Sequence, residues 1–219
     1  MKEVDLFQLV KSGESATVEF KQQFPTHPKI AKEMIAFANS KGGVLIFGIK
    51  DNGKIIGVDS EKEITNLVTE TAKDYCEPPI KINIEYFEFK GKEIVVVQIN
   101  ESDKKPHRIQ DYNEKMDLNT AQVYVRVNDK SVPASKEMIR LLRNQTSGKP
   151  LVKYRVGDDE KKAFEYLERN ETITVKELSD YANISKRRAS RALVKLVRAG
   201  LLFLHTKENG KEFFTYISE

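Results

Sequence analysis

The chain has 219 residues, with 37 Lys and Arg against 33 Asp and Glu, for a net charge of +4 and a pI near 8.9. So small a basic excess means that any nucleic-acid binding must come from clustered charge rather than from the total. The single cysteine, Cys76, excludes an internal disulfide and a cysteine-built zinc site, and no apolar run approaches the roughly 18 residues of a bilayer span, so a cytoplasmic protein without membrane contact is expected.

This length favours one domain of about 150 residues with a smaller companion. Residues 18–22 alternate, Val18 and Phe20 on one side and Glu19 and Lys21 on the other, which predicts a half-buried strand. Pro28 then opens a helix with an apolar face of Ile30, Met34, Phe37 and Ala38, ended by Gly42 and Gly43. "VLIFGIK" is a mostly apolar strand, and "DNG" is a hairpin turn into "KIIGV". Ser60 and Glu63 form a capping box for a helix carrying Ile64, Leu67, Val68, Ala72 and Tyr75, with Cys76 expected half-buried on it and Pro78 and Pro79 stopping it.

Two strands follow, "IKINIEYFEF" and "EIVVVQI", joined through Gly91 and Lys92. Residues 100–121 read as a long polar loop of the kind that carries function or moves. "VYVRV" is one further strand, Ser135 caps the short helix "KEMIRLLRN", and "TSGKP" has the composition of a linker. The expected division is a mixed α+β domain over 1–145, a linker over 146–157 and a small domain over 158–219.

In the last segment "EKKAFEYLERN" reads as a helix, "TITVKELSDYA" as a short strand entering a second helix, and "NIS" as a tight turn. Ser185 caps a third helix, "KRRASRALVKLVRAG", and "LLFLHT" and "EFFTYI" form a hairpin around "KENGK". Three helices and a hairpin make a winged helix-turn-helix pattern. The third helix carries Lys186, Arg187, Arg188, Arg191, Lys195 and Arg198 with no acidic residue among them. Such a helix reads duplex DNA with its N-terminal residues, Ser190 fitting close to the backbone, while Lys207 and Lys211 sit where a wing touches phosphates. The competing reading is a solvated charged face, or a winged helix that serves protein contacts.

"GIKDNGKI" matches most of the phosphate-loop pattern but places Ile55 where a hydroxyl should meet magnesium, and the strand-like "IIGV" follows instead of a helix. A nucleotide-responsive switch is therefore disfavoured.

"ESATVEFK", "IAKEMIAFANSKGGVLIFGIKDNGKIIGV", "KPHRI" and "YVRVNDKSVPAS" occur in that order. Together they resemble the Alba-like domain of Schlafen proteins and of many prokaryotic transcriptional regulators, a domain formerly described as a divergent AAA-type module. The resemblance covers about residues 8–142, and its most specific part is E-S-x-x-x-E-F-K followed by A-F-A-N-x-x-G-G. It implies a mixed α/β fold and nucleic-acid binding, and a winged helix after the domain is a frequent arrangement.

Schlafen relatives with endoribonuclease activity use three carboxylates around a divalent metal, and the matching positions here are Glu14, Glu19 and Asp51. On that reading the three hold Mg²⁺ or Mn²⁺ and cleave structured RNA. Glu14 must turn at Gly13 to face Glu19, because five positions along a strand place them on opposite faces. The competing structural reading pairs Glu19 with Lys21 or with an Arg across the sheet, and lets Asp51 start a hairpin. Arg126 and Ser131 are family-marked positions where a buried salt bridge competes with a nucleic-acid phosphate contact, a choice that also applies to Lys21. His107 in "KPHRI" is either a ligand or incidental, and Asn128 stands where the family commonly has glycine.

The resulting expectation is an α+β protein, an Alba-like domain followed by a small winged helix. It acts as a cytoplasmic regulator of transcription that binds double-stranded DNA as a homodimer and needs no cofactor. The Alba-like domain adds nucleic-acid affinity, RNA included, or ligand sensing or dimer contacts. The alternative is a metal-dependent endoribonuclease.

Overall fold

A parallel strand pair cannot be closed by a tight turn, so a crossover must join its members. In the computed structural model, which describes residues 3–146 and 156–217, the chain opens with helix Glu3–Ser12 (α1) and then builds such a crossover. Strands Val18–Lys21 (β1) and Gly43–Phe47 (β2) run parallel, joined by helix His27–Asn39 (α2). Helix Glu61–Asp74 (α3) follows, capped by Ser60, whose side chain accepts from the Glu63 amide. The hairpin Ile82–Phe89 (β4) and Lys92–Ile99 (β5) then completes a four-stranded sheet, in the order β1-β2-β5-β4. Short strands Cys76–Glu77 (β3) and Arg108–Ile109 (β6) pair beside it, as do Tyr124–Val127 (β7) and Lys130–Pro133 (β8).

Both faces of the sheet are covered. Val18, Phe20, Ile46, Ile94 and Val96 pack with Leu6 of α1, while Leu45, Phe47, Val95 and Val97 pack with Ile30, Met34 and Phe37 of α2 and with Ile64 and Val68 of α3. This overturns the expectation of a half-buried β1: Val18, Glu19 and Phe20 are all buried. Alternation marks one apolar face, but a polar face can be buried too when its charges find partners. Gly43 shows how tight the packing is, since a Cβ there would stand 2.5 Å from the Phe37 ring.

Several local features depart from the sequence reading. Helix α1 was not signalled. The "DNG" turn closes a single bridge, Ile49 with Ile55, rather than a hairpin of two strands. Cys76 is fully buried and lies in β3 rather than on a helix, because α3 ends at Asp74. The 100–121 stretch is anchored: Lys105, His107 and Arg108 are buried, and Asn39 clamps the segment. Its amide donates to the carbonyls of His107 (2.9 Å) and Tyr124 (3.0 Å), and its oxygen accepts from the His107 amide (2.7 Å). "VYVRV" pairs with β8, an unexpected strand, through a turn at Asn128 with φ 53. Asparagine tolerates this left-handed backbone, so it serves where the family commonly has glycine.

The chain divides into two units, 1–133 and 134–219. The second contains helices Lys136–Thr146 (α4), Asp158–Leu167 (α5), Val175–Ala182 (α6) and Lys186–Arg198 (α7), then the hairpin Leu202–Thr206 (β9) and Glu212–Tyr216 (β10). This division falls ahead of the expected boundary near 145, and Met138 and Leu141 of α4 pack on the core built from Leu178, Leu193, Leu196, Leu204 and Phe214. Of the linker expected over 146–157, residues 147–155 lie outside the described residues. No helix among the described residues is long and apolar enough to cross a membrane.

Candidate nucleic-acid interface

Local signals build the second unit. Thr174 accepts from the Glu177 amide and Glu177 returns the bond to Thr174, which starts α6; Asn183 ends it in the left-handed region at φ 50. One residue after that turn, Ser185 accepts from the Arg188 amide and starts α7. Leu178 of α6 and Ala189 and Leu193 of α7 are buried together, fixing the helix-turn-helix.

The six cations of α7 fall into two groups. Arg188 donates twice to Asp159 of α5, at 2.9 and 3.1 Å, and Lys195 donates to Glu160 at 3.0 Å. Those two therefore help join α7 to α5. At 100° per residue, Arg187, Arg191 and Arg198 lie within about 40° of one another on the adjacent edge. Neither these three nor Lys186 has an ion-pair partner among the described residues, and Lys186, Arg187 and Arg191 are exposed. The expectation for Ser190 is corrected: it is 3% exposed, donates to Glu137 and accepts from Arg140 of α4. At 100° per residue it lies between buried Leu193 and Val194 on the core side of α7, so it faces α4 rather than solvent.

In the hairpin, Lys207 and Lys211 are exposed at the turn, where the Lys207 amide donates to the Lys211 carbonyl at 2.8 Å. Charge is concentrated in this unit. Residues 134–219 hold 18 Lys and Arg against 12 Asp and Glu (18 − 12 = +6), whereas residues 1–133 hold 19 against 21 (19 − 21 = −2).

In the first unit Arg126 lies at the centre of a buried polar network. Its side chain is 1% exposed and donates to Glu19 (3.0 Å), Glu33 (3.1 Å), Ser131 (3.1 Å) and the Ser15 carbonyl (2.7 Å), while its guanidinium lies 4.7 Å from the Phe37 ring centre. Ser131 donates to Glu33, and Lys21 donates to the other oxygen of Glu19. Arg126, Ser131 and Lys21 thus form a structural salt-bridge network. Glu33 was not foreseen, although its place among Ile30, Met34 and Phe37 on the apolar face of α2 signalled a charge that needed a buried partner.

Glu14 does turn at Gly13, where φ is 81, and its carboxylate accepts from the Phe20 amide at 2.9 Å. Burial pushes its pKa up, the Phe20 amide and the charge of Lys21 pull it down, and the charges of Glu19 and Asp51 raise it further. Asp51 is exposed in the 51–53 turn. The charges of Glu19 and Asp51 are felt at Glu14, but both oxygens of Glu19 are already taken by cations. Among the described residues no group of three His, Cys, Asp or Glu is arranged to hold a metal ion. This donor set does not fit Mg²⁺ or Mn²⁺, since a dication would have to displace Arg126 and Lys21.

A groove of about 560 Å³ opens beside the network, lined by Lys21, Lys29 and Lys32 together with Glu33 and Asp51. His107 is a structural tie. Its Nδ1 lies 2.7 Å from the Pro78 carbonyl, which can only accept, so Nδ1 carries the proton and Nε2 accepts from Ser102 at 2.7 Å. Burial lowers its pKa, which favours this neutral form.

The second unit is therefore a winged helix, and the chain is a two-unit protein in which that winged helix follows a layered α/β domain. It belongs to the Schlafen, AlbA_2 family, whose match covers residues 14–135, and residues 160–211 match the MarR family. A curated relative, an uncharacterised ATP-binding protein of Ureaplasma parvum, is 37% identical over 92 residues. That match takes in 39% of this chain and 26% of the relative, so the chain spans about a quarter of the relative's length. Among solved structures, the N-terminal domain of a RecG-related protein from Nitrosomonas europaea is similar at a TM-score of 0.45 and 22% identity, over 58% of this chain and 90% of that one. The DIP2311 protein from Corynebacterium diphtheriae is similar at a TM-score of 0.47 and 15% identity, over 92% of this chain and 34% of that one.

Proposed function

We propose that the protein is a DNA-binding regulator of transcription whose winged helix grips duplex DNA through α7. The observation that carries this reading is the edge formed by exposed Arg187 and Arg191 with Arg198 beside them, separate from the cations that Asp159 and Glu160 hold. Arginine forks suit guanine edges and phosphates alike, and the first turn of such a helix enters the major groove. Lys207 and Lys211 extend the contact to the flanking backbone. Two copies reading two-fold half-sites would supply the affinity that one small helix lacks, so the acting form is a homodimer. A single buried thiol suits a reducing compartment, and the proposal places the protein in the cytoplasm with its DNA. The lysines of the first unit's groove add a weaker attraction for the same polyanion.

The test is fluorescence anisotropy with a labelled duplex over a salt series. Arg187→Ala with Arg191→Ala is expected to weaken binding and to lower the slope of log K against log salt by about 0.9 for each phosphate that the variant no longer neutralises. Binding and slope equal to those of the unaltered protein would remove α7 from the interface.

A further inference from the structure

The hairpin of the second unit carries on its outer face a set of rings that duplex binding through α7 and the wing lysines does not use. Along β9 the side chains alternate, Leu202 and Leu204 buried and Phe203 56% exposed. On β10, Phe214 is buried while Phe213 and Thr215 take the other side. Phe203 stands opposite Thr215 and His205 opposite Phe213, so these four residues share one face.

Their rings form a row. Phe203 and His205 have ring centres 5.0 Å apart, and His205 and Phe213 stack at 4.8 Å with 9° between their planes. The His205 Nε2 lies 2.8 Å from the Thr215 hydroxyl, which fixes the imidazole plane. The row ends in cations: Lys207 lies 5.2 Å from the centre of the Phe213 ring, and Lys211, the residue just before β10, continues the alternation of Phe213 and Thr215. Glu212 points to the inner side, where Ser135 and Thr206 donate to it, and Glu208 lies in the turn beyond the paired positions.

We propose that this face is a second nucleic-acid surface, which takes unpaired nucleobases by stacking and holds the adjoining phosphates with Lys207 and Lys211. Exposed rings alone would suit any apolar partner, but rings ending in two lysines specify a ligand that is both flat and anionic. Bases inside a duplex are already stacked on one another and offer no free face, whereas a single strand or a frayed end does. The surface shares Lys207 and Lys211 with the wing's contact to duplex backbone, but its rings are distinct from the arginine edge of α7 and do not depend on it.

The experiment measures anisotropy of a labelled thymidine oligonucleotide of about ten nucleotides, and separately of a duplex, with the full chain. Phe203→Ala is expected to weaken single-strand binding by about fivefold or more, the loss typical of removing one stacked base, with duplex binding and the melting temperature unchanged. Phe203→Tyr, which keeps the ring, should restore it. Arg187→Ala with Arg191→Ala should lower duplex binding while sparing the single strand, so failure of either surface is read separately. The proposal is overturned if the unaltered protein does not bind the oligonucleotide, or if Phe203→Ala binds it equally well. It is equally overturned if that substitution instead lowers the mass in sedimentation, which would make the face a contact between copies.

Discussion

Arg126 donates to Glu19 at 3.0 Å across 107 positions of sequence, and it does so with a side chain that is 1% exposed. Through this bond Glu19 anchors the β7–β8 hairpin against β1 and α2. Removing one partner of a buried pair leaves the other charge uncompensated. Arg126→Met is therefore expected to cost about 3–5 kcal/mol, because Glu19 and Glu33 both lose their cation, and urea unfolding of the full chain measures it. A cost below about 1 kcal/mol, the range of exposed pairs, would contradict the buried network.

Glu14 gives a pH signature. Burial is the largest influence and raises its pKa, so the folded state favours the neutral carboxyl. A raised carboxyl contributes stability at pH below its unfolded value and loses it as pH climbs through the folded value. Glu14→Gln can still accept from the Phe20 amide but never ionises. Its melting temperature relative to the unaltered protein should rise as the pH climbs past the ordinary carboxyl value of 4.5; a gap that shrinks as the pH climbs would reverse the assignment.

Cys76 is buried, and burial pushes its thiol up to about 12. The thiolate is the reactive form, and an unfolded cysteine has a pKa of about 8.5. The native protein should resist iodoacetamide at about pH 8, whereas protein in urea should be alkylated quickly, as mass spectrometry would register. Fast alkylation of the native form would place Cys76 at the surface.

Ser190 separates a packing role from a DNA contact. Ser190→Ala removes a hydroxyl that donates to Glu137 and accepts from Arg140. The expected loss is about 1–3 kcal/mol in unfolding free energy, the range for a buried polar group deprived of its partner. The salt slope of duplex binding should stay as it was, and a reduced slope would return Ser190 to the interface.

How far the sequence could be read differs between the two units, for a physical reason. In the winged helix the determinants are local: Thr174 and Ser185 cap helices three residues away, Asn183 makes the turn, and the β9–β10 hairpin folds on the residues next to it. What was hidden there rests on other helices: Asp159 and Glu160 claim Arg188 and Lys195, and Glu137 and Arg140 of α4 claim Ser190. In the first unit the motifs signalled the family but not the arrangement.

By itself the sequence determined the class of both units, the capped helices, the alternating strands and the run of cations on α7, because each depends on neighbours within a few positions. Tertiary structure decided that Glu19 faces Arg126, that Ser190 faces α4 and that α4 belongs with the winged helix. It also lined up the rings of the hairpin's outer face by strand register. Those outcomes depend on which distant charges and surfaces are buried together, and burial sets their energies through desolvation and packing that no local pattern encodes.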